Sequence, residues 1–203
     1  MAPNLVSAAE RFVGRADDQR RIDRICTAAP DGRGVVALVS GEAGIGKTRF
    51  CDEVAERARR AGLTVVTARC WGEGGAPPLW PWQPILADLC GEEAARLLGP
   101  GTTATTAEAV DADRFARFSD IVDALGAATA RTPACIVVDD IHAADAGTLL
   151  LTRFVARAIH RLPLALVVSR RSGEPSADGL EARLLAEIER EAIPFVLHHF
   201  DLD

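Results

Sequence analysis

VVALVSGEAGIGKT, residues Val35–Thr48, is the stretch from which the rest of the chain can be read. Val35–Ser40 is an unbroken apolar run rich in β-branched residues, the pattern of a strand buried on both faces of a parallel sheet. It passes directly into Gly41-Glu42-Ala43-Gly44-Ile45-Gly46-Lys47-Thr48, which is GxxxxGK[ST] between a strand and a helix. Glycines let such a loop curl until successive N–H groups face inward around an anion, which Cβ atoms would obstruct. The N-terminus of the following helix adds further unpaired N–H groups and a partial positive charge. Lys47 can reach the β- and γ-phosphates of a nucleotide, and the Thr48 hydroxyl can ligate Mg²⁺. Arg49 follows at once and joins Gly41–Thr48 in the predicted binding loop.

Of 23 basic residues, 22 are arginine, and the single lysine is Lys47. A compact ammonium on a flexible stem fits between phosphates where a planar guanidinium does not. The lysine has been kept at the one place where arginine cannot substitute.

Outward from this loop, strands and helices alternate. A short amphipathic helix precedes it over Ala16–Ala29, ended by Pro30-Asp31-Gly32. A helix is predicted from Lys47 to Ala61 and a second strand over Leu63–Cys70. Trp71–Pro84 is too rich in Gly and Pro for regular structure and holds all three tryptophans, which are expected to anchor a connector by packing. Helices are then predicted over Ile85–Leu98 and 108–130. Phe115, Phe118, Ile121, Val122 and Leu125 trace one stripe of the second. Ala134–Asp140 and Pro163–Ser169 read as the third and fourth strands, with a helix between them capped by Asp145. Leu180–Glu191 reads as a helix and Ile193–Phe200 as a fifth strand. The expectation is a three-layer α/β sandwich with a mainly parallel five-stranded sheet. Residues 1–33 form an N-terminal helix and loop, and residues 34–203 form the core.

With 203 residues, 48% apolar and 26% charged, the chain has the balance of a folded domain. Its net charge of −6 argues against holding nucleic acid directly. No apolar run approaches the ~18 residues of a membrane helix, and charged residues interrupt the N-terminus, so a cytoplasmic location with no membrane partner is expected. The five cysteines form no CxxC and read as small buried residues. The histidines make no ligand cluster.

A nucleotide hydrolase needs an acid at the carboxyl end of a second buried strand, and CIVVDD supplies Asp139 and Asp140. The first would hold Mg²⁺ through a bound water. The second points elsewhere and can orient or deprotonate the attacking water. It is one methylene shorter than glutamate, which limits its reach and predicts slow hydrolysis. A guanine site would carry NKxD, for which this chain has no second lysine, so ATP/ADP is the expected nucleotide.

RFVGR (Arg11–Arg15), GEAGIGKT (Gly41–Thr48), CWGEGGAPPLWPWQPIL (Cys70–Leu86), VVDDIHAAD (Val137–Asp145) and VVSRR (Val167–Arg171) occur in the order found in STAND-type signalling ATPases of the AAA class. The chain most resembles the N-terminal ATPase module of large LuxR-family transcriptional regulators of actinobacteria, over nearly its whole length. That resemblance implies the sheet order 5-1-4-3-2. It places Phe12, Val13 and Gly14 at the adenine, with Arg15 near the nucleotide. It makes Asp139 the Mg²⁺ acid, Asp140 the acid that positions water, and Arg171 a sensor of the γ-phosphate, with Arg170 as rival. His142 would stand beside the metal-acid loop. Ala143 departs from the family, which has tryptophan there. The family continues into a lid, a winged helix and a DNA-binding helix-turn-helix that this sequence does not contain.

The leading expectation is an ATP/ADP switch with slow Mg²⁺-dependent hydrolysis, controlling a C-terminal DNA-binding effector. A non-hydrolysing interaction module and an autonomous small kinase are the alternatives. Expected partners are an adenine nucleotide, the C-terminal domains of the same longer chain and, where nucleotide drives it, a second copy.

Overall fold

The computed structural model describes residues 16–71, 77–99, 106–172 and 179–198. Its centre is a five-stranded sheet of β1 (Val35–Gly41), β2 (Thr64–Arg69), β3 (Ala134–Asp139), β4 (Leu164–Arg171) and β5 (Ala192–Val196). The order is β2-β3-β4-β1-β5 and every pairing is parallel. This is the expected order, read from the other edge. Parallel strands must be joined by crossovers, and among the described residues six helices lie in them: α2 (Lys47–Arg60), α3 (Trp82–Cys90), α4 (Glu92–Ala95), α5 (Ala107–Arg131), α6 (Ala146–Ala158) and α7 (Leu180–Glu191), while α1 (Ala16–Ala28) precedes β1.

Side-chain alternation along the strands divides the interior into two layers. Ala37, Val39, Cys135, Val137, Ala165 and Val167 face α1 and α2. Leu38, Ile136, Val138, Leu166 and Val168 face α3, α5, α6 and α7. All six residues of β3 are buried, as are the first six of β4, which explains their unbroken apolar sequence. Each buried Val, Ile or Leu contributes roughly 1.5–3 kcal/mol relative to exposure. The helices follow the same logic. Ile22, Ile25, Cys26 and Ala29 turn one face of α1 and its end inward, and Phe50, Cys51, Val54, Ala55 and Ala58 do so for α2.

Three expectations need correction. The helix predicted over Ile85–Leu98 starts earlier, at Trp82, and is broken at Gly91. Pro84 is tolerated because it lies in the first turn, where its missing N–H has no intrahelical acceptor. Gly91, at φ 91° and ψ 164°, leaves helical geometry, and α4 and a short 3₁₀ turn follow. Secondly, of the tryptophans only Trp82 anchors the connector: it is fully buried and its Nε1 donates to Thr152 Oγ1 at 3.1 Å. Trp71 and Trp80 are 69% and 42% exposed. Thirdly, Phe118, Ile121 and Leu125 are buried, but Phe115 of the same stripe is 62% exposed. Strand ends also shift. β5 runs from Ala192 to Val196, and Asp140 lies just past β3 instead of within it.

Candidate nucleotide site

β1 ends between β4 and β5, so the chain leaves it where connections diverge to both sides, the position at which α/β sheets open a crevice. Gly41–Thr48 occupies that opening. Gly44 and Gly46 have φ of 79° and 98°, conformations that L side chains rarely adopt. Gly41 is constrained by space: a Cβ there would stand 2.7 Å from Ile45 Cγ2 and 3.1 Å from the Leu197 carbonyl. The loop's three glycines therefore have two separate reasons, backbone geometry and close approach. Gly46 leads into α2, whose Phe50 N–H donates to the Gly46 carbonyl at 2.9 Å. Lys47 is buried at the base of the loop, and its ammonium donates to the carbonyls of Gly41 (3.0 Å) and Glu42 (2.7 Å). Glu42, Ala43, Thr48 and Arg49 are exposed along the loop and the first turn, and Ile45 is half-buried.

The acidic pair stands across from this loop. Asp139, at the end of β3, is buried and accepts from Thr48 Oγ1 at 3.0 Å through Oδ2. Ser169 of β4 donates its hydroxyl to the other oxygen, Oδ1. The same Ser169 Oγ accepts from the Asp140 N–H at 2.9 Å. One buried hydroxyl thus fixes both acids, orienting the carboxylate of the first and the backbone of the second. Asp140 has φ 58° and ψ 44°, a left-handed turn that aspartate adopts more readily than most residues, and it ends β3. Its carboxylate turns towards β2, where Arg69 donates to Oδ2 through Nε (3.2 Å) and Nη2 (2.7 Å). Asp140, and then Asp139 at longer range, push the Arg69 pKa above its ordinary value. His142 Nδ1 stands 4.0 Å from Asp140 Oδ1.

Alternation separates the two candidate arginines. Val168 faces α7, so Arg170, two residues on, faces the same way, and it forms an ion pair with Glu189 of α7. Ser169 and Arg171 belong to the face of α2. Arg171 is level with Gly41 in the register between β4 and β1, and Ser172 N–H donates to the Gly41 carbonyl at 3.0 Å. Phe12, Val13, Gly14 and Arg15 lie outside the described residues.

The hydroxyl of Thr48 beside the carboxylate of Asp139 is a hard-oxygen donor set of the kind that suits Mg²⁺ with waters and phosphate oxygens completing it. At the positive-φ Gly44 and Gly46 the space a Cβ would take is open, as a loop that curls its N–H groups around a phosphate requires. Arg69 and Ser169 were not singled out from sequence. Ser169 had a readable signal, a polar residue ending the buried run LALVV. Arg69 had none, because its significance depends on β2 lying next to β3.

A parallel sheet with a glycine loop opening into a helix, and an acid on a strand two places away, defines the P-loop nucleotide-binding fold. The chain belongs to the AAA ATPase domain family, which matches residues 11–168. It is 25% identical over 190 aligned positions to an uncharacterized protein of Rhizobium meliloti (strain 1021), covering 79% of this chain and 18% of that one. Among solved structures it is similar to Drosophila ORC bound to AT-rich DNA and Cdc6, at 12% identity and TM-score 0.53, over 90% of this chain and 58% of that one. It is also similar to a DNA replication initiation factor, at 11% identity and TM-score 0.51, over 93% and 48%. A third likeness is to the replication initiator DnaA bound to AMPPCP and single-stranded DNA, at 12% identity and TM-score 0.50, over 94% and 49%. These likenesses are of fold. The chain spans less than a fifth of the curated relative and about half of these structures. No described helix is long and apolar enough to cross a membrane.

Proposed function

We propose that this domain binds ATP and ADP with Mg²⁺, hydrolyses ATP slowly, and uses the difference between the two states to control other domains of a longer chain. The observation that supports this best is the connected set Thr48–Asp139–Ser169–Asp140, which ties the phosphate loop to both acids through three hydrogen bonds. A change at the γ-phosphate end of the loop would be felt by β3 and β4 without any large movement. Mg²⁺, when bound, neutralises charge on the β- and γ-phosphates.

The chain's own residues divide the remaining work. Backbone N–H groups of the loop and the α2 N-terminus bind the phosphates. Lys47 gives up its contacts with the Gly41 and Glu42 carbonyls for phosphate oxygens, so the ammonium stays hydrogen-bonded in both states. Thr48 and Asp139 would hold the metal. Asp140 would accept or orient a water proton, and Arg171, level with Gly41 in the register of β4 and β1, would meet the γ-phosphate. Such a switch works only to the extent that its two nucleotides favour different states. The resemblance to LuxR-family regulators makes a DNA-binding C-terminal effector the proposed recipient, with nucleotide-dependent self-association as a route. The domain's net charge of −6 keeps nucleic acid off its own list of ligands.

The second reading, a nucleotide-binding module that does not hydrolyse, draws on one specific observation: Asp140 is held by a two-donor contact with Arg69. The test separates the two. ATP and ADP are titrated with Mg²⁺ against wild type, Lys47→Ala and Asp140→Asn, and phosphate release is followed under single-turnover conditions. The switch reading expects Lys47→Ala to weaken binding by roughly 10- to 100-fold, the loss of a charge-assisted hydrogen-bond set. It expects Asp140→Asn to bind within about threefold of wild type and to slow hydrolysis by about 10²-fold or more. Equal, negligible release from wild type and Asp140→Asn would establish the non-hydrolysing module.

A further inference from the structure

The nucleotide reading makes no use of the outer face formed by α5 and α6. A groove of about 500 Å³ runs between these helices. Three phenylalanines line it in a row of tilted contacts: the Phe115 and Phe154 ring centroids are 5.4 Å apart at 80°, and those of Phe118 and Phe154 are 5.7 Å apart at 67°. Phe118 is buried, Phe154 is half-buried and Phe115 is 62% exposed. The row therefore grades from core to surface and ends on an open aromatic ring.

The two walls differ in charge. On the α6 side, Arg153, Arg157 and Arg161 recur every four residues through α6 and the 3₁₀ turn that follows it. Arg153 pairs with Glu187 of α7 at 3.0 Å. Arg157 and Arg161 are exposed and have no acidic partner among the described residues. On the α5 side stand Asp111, which is ion-paired with Arg114, and Asp123. In a chain of net charge −6, this groove carries four arginines against two aspartates, with the unpaired cations all on one wall.

We propose that the groove receives an amphipathic helix of a partner protein. Its apolar stripe covers Phe115, and acidic residues along one flank meet Arg157 and Arg161. An apolar stripe with charge on one side is how helices settle into grooves between helices. Aromatic and arginine anchors are the residue types that carry most interface energy. The charge division favours this occupant over a nucleic acid. A phosphate backbone crossing the groove would meet Asp111 and Asp123 as well as the arginines, whereas a helix can place its acids on the α6 side alone.

The test uses the full 203-residue chain and a fluorescein-labelled, helix-forming peptide with leucines at i, i+3, i+4 and i+7 and glutamates along one flank. Binding is read by anisotropy. Saturable binding is expected, weakened by about tenfold or more in Phe115→Ser and in the pair Arg157→Glu/Arg161→Glu. A peptide with lysines in place of its glutamates should restore binding to the arginine pair variant and bind the wild type poorly. Both variants alter exposed side chains, so their urea unfolding midpoints should match wild type. Absence of saturable binding, or equal binding of a scrambled peptide of the same composition, overturns the proposal. So does tighter binding of single-stranded oligothymidylate that is lost in the same variants. Self-association of the wild type that Phe115→Ser abolishes would assign the groove to a second copy instead.

Discussion

Ser169 and Arg69 act on the two acids in opposite senses. The Ser169 hydroxyl holds Asp139 by its carboxylate and Asp140 by its backbone, so it fixes where both stand. Arg69 holds the Asp140 carboxylate itself, by two donors, and keeps it turned towards β2. On the proposed mechanism that carboxylate must face a water, and the two Arg69 donors occupy its Oδ2 and hold it away from that task. Arg69→Ala should therefore raise single-turnover hydrolysis by about three- to tenfold with nucleotide affinity little changed. A fall in rate would instead make Arg69 part of the productive arrangement. Ser169→Ala leaves a buried carboxylate oxygen and a half-buried N–H without their partner, and should cost about 1–3 kcal/mol in urea unfolding. Asp139 and Asp140 were legible because they end an apolar run in one continuous stretch. Their partners come from neighbouring strands, and periodicity along a chain does not say which strands are neighbours.

At the scale of elements, sequence gave strand positions well and helix continuity poorly. A strand buried on both faces must be apolar throughout, and β1, β3 and β4 declare themselves for that reason. The break at Gly91 was hidden because glycine is tolerated within helices as well as beyond their ends. Phe115 misled in another way: it keeps the spacing of the α5 stripe, but the N-terminal part of α5 leaves both Val110 and Phe115 exposed. The entry to β1 carries a constraint that sequence did not signal. A Cβ on Gly34 would lie 1.9 Å from the Ile159 carbonyl oxygen and 2.5 Å from that of Leu162. Both obstacles are backbone, so neither can swing aside. Gly34→Ala should lower the unfolding free energy by about 3 kcal/mol, the upper end of the usual range for overpacking, whereas Gly32→Ala, with open space around it, should cost only about 1 kcal/mol for its positive φ. Thermal melts of the two variants side by side check the difference.

For the whole molecule, the buried cysteines should set the alkaline limit of stability. All five are free thiols, four of them buried. Burial raises Cys26 from 9.0 to about 11 and Cys70 and Cys135 to about 12, and pushes Cys51 up further still. In the unfolded chain these thiols ionise near their ordinary value, so above it the unfolded state holds fewer protons than the native state. Stability is then full below about pH 8.5 and declines as pH rises towards the folded values. With no tyrosine and one lysine in the sequence, few other side chains titrate in that window. The melting temperature should drop steadily from pH 9 to 11, and replacing Cys26, Cys51, Cys70 and Cys135 by alanine or valine should flatten the drop. A slope that survives those substitutions would trace it to another group.

β5 is an edge strand, yet it is bonded along its length to the strand that ends in the phosphate loop. Just past it, the Leu197 N–H donates to the Ser40 carbonyl at 2.8 Å, and the Leu197 carbonyl and Cβ lie against Gly41. In mechanical terms β5 is a lever laid along β1, with its tip resting on the first residue of the loop. On the proposed switch, a displacement of Leu197 would reach Gly41 through this contact, with no path through the core.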